Sequence, residues 1–128
     1  MPNAVIAGYA RSPFHLAGKG DLARVRADDL AAQVIRGLID KSGVKVEDVE
    51  DIILGCAFPE GEQGLNVARL IGLLADLPIK VGGMTVNRFC GSSMSSIQPM
   101  RAPTIVCEVV TCCRPESSSP MASCAALT

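Results

Sequence analysis

The chain has 128 residues, 48 % hydrophobic and 3 % aromatic, with 12 basic against 13 acidic side chains and a formal net charge of −1. A single core of about 100–150 residues accommodates that length, and a balanced charge leaves no field to gather nucleic acid or an anionic membrane, so neither is expected as a partner. Met1-Pro2-Asn3 is no basic leader, and Asp21 interrupts the chain before any apolar run reaches the roughly 18 residues of a membrane span, so a cytoplasmic protein is expected.

Ala4-Val5-Ile6-Ala7-Gly8-Tyr9 reads as a buried strand over about 3–9, ended by the turn signal Arg11-Ser12-Pro13. The glycines at 18 and 20 then mark a surface loop, with no phosphate-cradle spacing. Asp28 or Asp29 can accept from the free amides of a helix start, and Leu30, Ala31, Val34, Ile35, Leu38 and Ile39 recur at helical spacing, which predicts a helix near 28–41 stopped by Gly43. Val49, Ile52, Ile53 and Leu54 lead into Gly55-Cys56-Ala57, a second buried strand near 50–57. A second helix is expected over about 65–76, apolar on most faces, largely buried and closed by Pro78. Met84-Thr85-Val86 gives a third strand near 83–87, and Asn87 to Met94 a strand-to-helix turn built of small residues. Strands alternating with helices place the chain in the α/β class, with a mostly parallel sheet.

Cys90 is the candidate nucleophile. A thiol is a poor nucleophile and a thiolate a good one, so a catalytic cysteine belongs where partial positive charge and free amides gather, as at a helix start. Gly91-Ser92-Ser93 lets backbone approach a substrate closely, as acyl transfer through a thioester requires. The competing reading of Cys90, on spacing alone, is a small buried residue at a tight turn.

The stretch Val86-Asn87-Arg88-Phe89-Cys90-Gly91-Ser92-Ser93-Met94 resembles the nucleophile motif of the thiolase family, and of 3-ketoacyl-CoA thiolases (acetyl-CoA acyltransferases) in particular. Ala10-Arg11-Ser12-Pro13-Phe14, Gly18-Lys19-Gly20, Leu22 to Arg26, Gly55-Cys56-Ala57 and Glu60 to Arg69 look like the same family in the same order, so the resemblance runs from residue 3 to about 97. Ketoacyl-carrier-protein synthases share the architecture and a helix-borne cysteine, but the wording around Cys90 fits thiolases far better.

The resemblance implies the N-terminal part of a five-layered α/β/α/β/α fold made of two similar halves, homo-oligomeric in the intact family and serving lipid metabolism and fatty-acid β-oxidation. In it Cys90 takes the acyl group of a 3-oxoacyl-CoA, a histidine in a Gly-His-Pro motif of the second half activates it, and a cysteine in a Cys-x-Gly motif handles the proton on acetyl-CoA or CoA. Acyl-CoA and coenzyme A are then substrates, and no cofactor is implied. Neither partner motif is matched here: His15, the only histidine, reads as a loop residue. The chain alone is therefore expected to be inactive, and a non-catalytic remnant or interaction module of the same fold is the alternative. Cys56 resembles a core position of the family. Cys107, Cys112, Cys113 and Cys124 lack paired spacing and any histidine, so no metal site is expected among them.

Residues 1–98 are thus read as a truncated thiolase N-terminal domain and 99–128 as an aberrant or disordered tail. Pro99, Pro103, Pro115 and Pro120, the four late cysteines and Ser117-Ser118-Ser119 show no period, and the first two prolines would break the helix after Cys90. Written in GC-rich codons and read one base earlier, Cys107 to Glu116 gives Arg-Gly-Gly-Asp-Val-Leu-Pro-Ala-Gly, which resembles the glycine-rich strand that thiolases place after the nucleophile. A shifted reading frame explains such a tail.

Overall fold

The computed structural model describes residues 5–16, 18–98 and 104–108, the last three for their backbone alone. In chain order the elements are α1 (Ala27–Ser42), β1 (Asp51–Gly55), α2 (Val67–Leu74), β2 (Met84–Val86), α3 (Ser92–Ile97) and β3 (Thr104–Glu108), with short 3₁₀ turns between them. The three strands form one parallel sheet in the order β2-β1-β3. Ile53 pairs with Met84 on one side and Val106 on the other, so β1 is the central strand.

A central parallel strand is covered on both faces, which explains the unbroken apolar run Ile52-Ile53-Leu54. Side chains alternate across a strand. Ile52 and Leu54 are fully buried in the core with Ala31, Ala32 and Ile35 of α1 and Val67, Ala68 and Ile71 of α2. Ile53 and Gly55 face the other way, where α3 packs across the sheet. The described part is therefore a helix pair, a sheet and a helix. These layers agree with the fold expected from the sequence.

Of the face expected for α1, Ala31 and Ile35 are buried and Leu30, Val34, Leu38 and Ile39 half-buried, while Ala27, Asp28 and Ala32 are buried beside them, and the start of the helix differs too. Arg26, in extended conformation, is the N-cap residue and makes no side-chain cap; Asp28 sits inside the first turn and accepts from the Asp29 amide at 3.0 Å. Arg26 donates to both Asp28 carboxylate oxygens, Nη2 at 2.7 Å and Nε at 3.0 Å. Those hydrogen bonds hold the buried Asp28 carboxyl below the usual carboxylate range, against the opposing effect of burial. Gly43 ends the helix as predicted: its φ of 69° is left-handed, and its N–H donates to the Ile39 carbonyl.

For α2 the stop comes before Pro78. Asp76 takes φ 58°, and the Asp76 and Leu77 amides donate to the Leu73 and Gly72 carbonyls, the paired bonds of a Schellman ending. Nor is the helix largely buried: Leu70, Leu73 and Leu74 form an open outer face. Its inner face is tied to the β2 side, where Ala68 N–H donates to Thr85 Oγ1 at 3.1 Å, Thr85 Oγ1 to Asn66 Oδ1, and Asn66 Nδ2 to the Gly83 carbonyl.

The strand expected over 3–9 is not formed across its described residues, 5–9. β1 already has a neighbour on each edge, so a further strand must join β2 or β3 from outside, and neither is paired to this segment. Val5 and Ile6 are 80 % and 84 % exposed. The segment runs beside α1 instead, with Lys41 Nζ 4.7 Å from the Tyr9 ring centroid and 3.5 Å from the Tyr9 carbonyl. β3 is the opposite case: residues 104–108 are a strand within the segment expected to be irregular, and Ile105 packs on the core. The remaining tail, 99–103 and 109–128, lies outside the described residues, and with it Cys112, Cys113 and Cys124. No helix among the described residues is long and apolar enough to cross a membrane.

Candidate active site

Parallel sheets present their chemistry at the carboxyl ends of the strands, where each chain turns out toward a helix. Both described free cysteines stand there, Cys56 after β1 and Cys90 after β2.

Cys56 continues the ladder, its N–H donating to the Val86 carbonyl at 3.0 Å. The side chain is fully buried, and its thiol donates to Gln63 Oε1 at 3.5 Å. Burial pushes the Cys56 thiol up, with a backbone hydrogen bond from Phe58 opposing. A thiol kept protonated inside a core is inert, so the core role read from the sequence agrees with this environment.

Cys90 stands in the 3₁₀ turn Phe89–Gly91, directly before α3, and is exposed. That is within one turn of a helix start, where the sequence placed it. Five hydrogen bonds build the turn, one of them from the Ser92 backbone N–H to the Phe89 carbonyl. Asn87 Oδ1 accepts from Phe89 N–H at 2.9 Å, Gly91 N–H donates to the Arg88 carbonyl at 3.0 Å, Ser92 Oγ accepts from Arg88 N–H at 2.9 Å, and the same hydroxyl donates to the Phe89 carbonyl at 2.6 Å. Phe89 takes φ 47°, a left-handed conformation that costs a non-glycine residue about 1–3 kcal/mol and persists only where its surroundings impose it. The Phe89 ring meets Phe58, from the loop after β1, edge to face with centroids 6.5 Å apart.

Gly55 is the contact that seats this turn on the sheet. A Cβ there would fall 2.6 Å from Ser93 N and 2.7 Å from the Ser92 carbonyl carbon, so only glycine lets the first turn of α3 lie against β1. Gly55, Phe58 and Ser92 were not singled out from the sequence as site residues. The signal for Ser92 was the serine-rich wording after Cys90, which read only as small. His15 remains a loop residue, its Nδ1 3.9 Å from Asp21.

The fold and the site together define an α/β protein with an accessible cysteine on a strand-to-helix turn. The family profile described as "Thiolase, N-terminal domain" matches residues 4–113. The chain belongs to the thiolase family. It is 50 % identical over 97 residues to a 3-ketoacyl-CoA thiolase of Bacillus subtilis, a match covering 76 % of this chain and 25 % of that protein. A 3-ketoacyl-CoA thiolase of Acinetobacter baumannii is 46 % identical over 100 residues, covering 78 % of this chain and 26 % of the relative. Among solved structures, an acetyl-CoA acetyltransferase from Syntrophomonas wolfei superposes with a TM-score of 0.66 at 32 % identity, over 73 % of this chain and 23 % of that one. An Ascaris suum thiolase solved in complex with coenzyme A gives 0.58 at 30 %, over 63 % and 21 %. The chain thus spans about a quarter of the length of these relatives.

Proposed function

We propose that this chain carries the nucleophile-bearing part of an acyl-CoA acyltransferase that cleaves a 3-oxoacyl-CoA with coenzyme A, or condenses acetyl-CoA units in the reverse direction, through an acyl-cysteine at Cys90. The supporting observation is an accessible thiol fixed on a hydrogen-bonded strand-to-helix turn, inside a sequence that resembles the family's nucleophile motif. In the forward direction the Cys90 thiolate attacks the 3-oxo carbon, the bond between C2 and C3 breaks, and the departing acetyl-CoA carbanion takes up a proton. A thiolate of coenzyme A then attacks the acyl-cysteine thioester, releasing the shortened acyl-CoA and returning Cys90 as the thiolate. Both half-reactions need a group that moves protons, and the family's histidine and second cysteine motifs are not matched in this sequence. The chain alone is therefore read as acylating slowly and not turning over. Coenzyme A, as acyl carrier and free thiol, is the small-molecule partner.

A second reading, a non-catalytic module of the same fold that pairs with another chain, draws on the open apolar face of α2 at Leu70, Leu73 and Leu74. Incubation of the purified chain with acetoacetyl-CoA, followed by peptide mass spectrometry, separates the two. A stoichiometric acyl adduct on Cys90, absent in Cys90→Ser, is the expected result; an adduct on Cys56 instead, or none on a folded chain, overturns the catalytic reading and leaves the module.

A further inference from the structure

One buried hydroxyl closes the turn that carries Cys90. Ser92 is 3 % exposed, and its Oγ accepts from Arg88 N–H while donating to the Phe89 carbonyl. The two residues before the thiol are thereby tied to the residue that opens α3. Between those bonds sits Phe89, with its left-handed φ. Asn87 Oδ1 holds the Phe89 amide, and Ser92 holds its carbonyl through both its hydroxyl and its backbone N–H, so two side chains reinforce a conformation that an aromatic residue does not choose by itself.

Ser96 shows what an ordinary buried hydroxyl in this helix does. It is fully buried, and it donates one turn back to the Ser93 carbonyl at 2.6 Å, the usual way for a helical serine to satisfy itself. Ser92 makes the same bond three residues back, to the Phe89 carbonyl, and in addition accepts from Arg88 N–H at 2.9 Å, which ties it to the chain before the helix. Gly55 presses the Ser92–Ser93 backbone onto β1, so the hydroxyl is anchored to the sheet and the turn is anchored to the hydroxyl.

We infer that Ser92 is the positioning residue for Cys90: its hydroxyl fixes the Arg88–Gly91 turn and so sets where the thiol stands, without touching the reacting atoms. The inference deepens the proposed function and rests on it only for the chemistry that Cys90 performs.

Ser92→Thr and Ser92→Val share one shape and differ in the hydroxyl. The test is the rate of alkylation by iodoacetamide in the full chain, read peptide by peptide, with protection of Cys56 reporting that the core is closed. Ser92→Val is expected to change the rate of Cys90 alkylation by about threefold or more, because a thiol on a released turn no longer keeps one exposure and one set of neighbours, while Ser92→Thr and the control Ser96→Ala stay near the unsubstituted chain. Equal rates for Thr and Val, or the same loss in Ser96→Ala, overturn the inference. Ser92→Ala adds no bulk and decides the matter if the larger side chains open the core: altered Cys90 reactivity with Cys56 protected supports the inference, and unchanged Cys90 overturns it. Acylation by acetoacetyl-CoA keeps the two readings apart. A Thr–Val difference in alkylation without any acyl adduct on the unsubstituted chain defeats the proposed function alone, and an adduct without that difference defeats the positioning role alone.

Discussion

Cys56 and Cys90 follow adjacent strands of one sheet, yet one is sealed and the other presented. After β1 the Cys56 side chain is sealed in the core, and although the chain then runs out through the exposed Phe58 to Glu62, Gln63 of the following 3₁₀ turn comes back to meet its thiol. After β2 the chain is held outward by a turn whose bonds run to Asn87 and Ser92. The same residue type is therefore packed in one place and solvent-facing in the other, and the backbone makes the difference. Access, more than sequence neighbourhood, decides which thiol a reagent can reach.

The largest effect should come from opening the sealed side. In the folded chain Cys90 should react with a small alkylating reagent at least about a hundredfold faster than Cys56, whose labelling waits for the core to open. Leu54→Ala empties a fully buried position beside Cys56 and should cost about 2–5 kcal/mol, raising Cys56 labelling toward that of Cys90. Equal labelling of the two thiols before any substitution would mean that the core described here does not hold in solution.

Gly55→Ala attacks the same comparison from the exposed side. The added Cβ meets backbone atoms of Ser92 and Ser93, which cannot swing away as a side chain could, so α3 must lift from β1. A cost of about 1–3 kcal/mol is expected, with Cys90 reactivity altered and Cys56 still the slower thiol. Thermal melting together with the labelling ratio checks both parts. Unchanged melting and unchanged Cys90 reactivity would show that the close approach of α3 to the sheet is not what seats the turn.

Apolar patterning disclosed α1, β1 and α2, because each buries a run long enough to carry a signal, while β2, three residues with none buried, was read from its short run alone. The helix ends were less legible. Asp76 stops α2 through its own left-handed backbone, whereas Pro78 offered the louder cue. Residues 5–9 illustrate a different failure: an apolar run states what a segment could pair with, and only the sheet shows whether an edge is available. β3 was hidden by its neighbours. Pro99 and Pro103 read as breaks in a helix, and in chain order they fall between α3 and β3. Cys90 was legible by motif, while Ser92 and Gly55 were not, since a two-sided hydroxyl and a missing Cβ have no periodicity. The shifted-frame idea stands or falls on the gene: a nucleotide sequence in which no alternative frame restores family-like residues after about residue 98 would end it.

The smallest expected effect is the pH dependence that Cys56 imposes. Burial raises its thiol above the ordinary value in the folded chain, while the unfolded chain titrates near about 8.5. Below that pH both states keep the proton, and the full contribution to stability is present. As pH rises past it, the unfolded state releases the proton and the native state does not, so the unfolded state gains and stability falls until the native thiol ionises as well. Cys56→Ala removes that proton, and its melting temperature should decline less steeply between pH 8 and 10 than that of the unsubstituted chain, even though the substitution lowers stability throughout by leaving a small cavity. The difference in slope isolates Cys56, because every other residue is common to both chains. Parallel declines would show that the Cys56 thiol loses its proton as readily in the folded state as in the unfolded one, and the contrast with Cys90 would then rest on access alone.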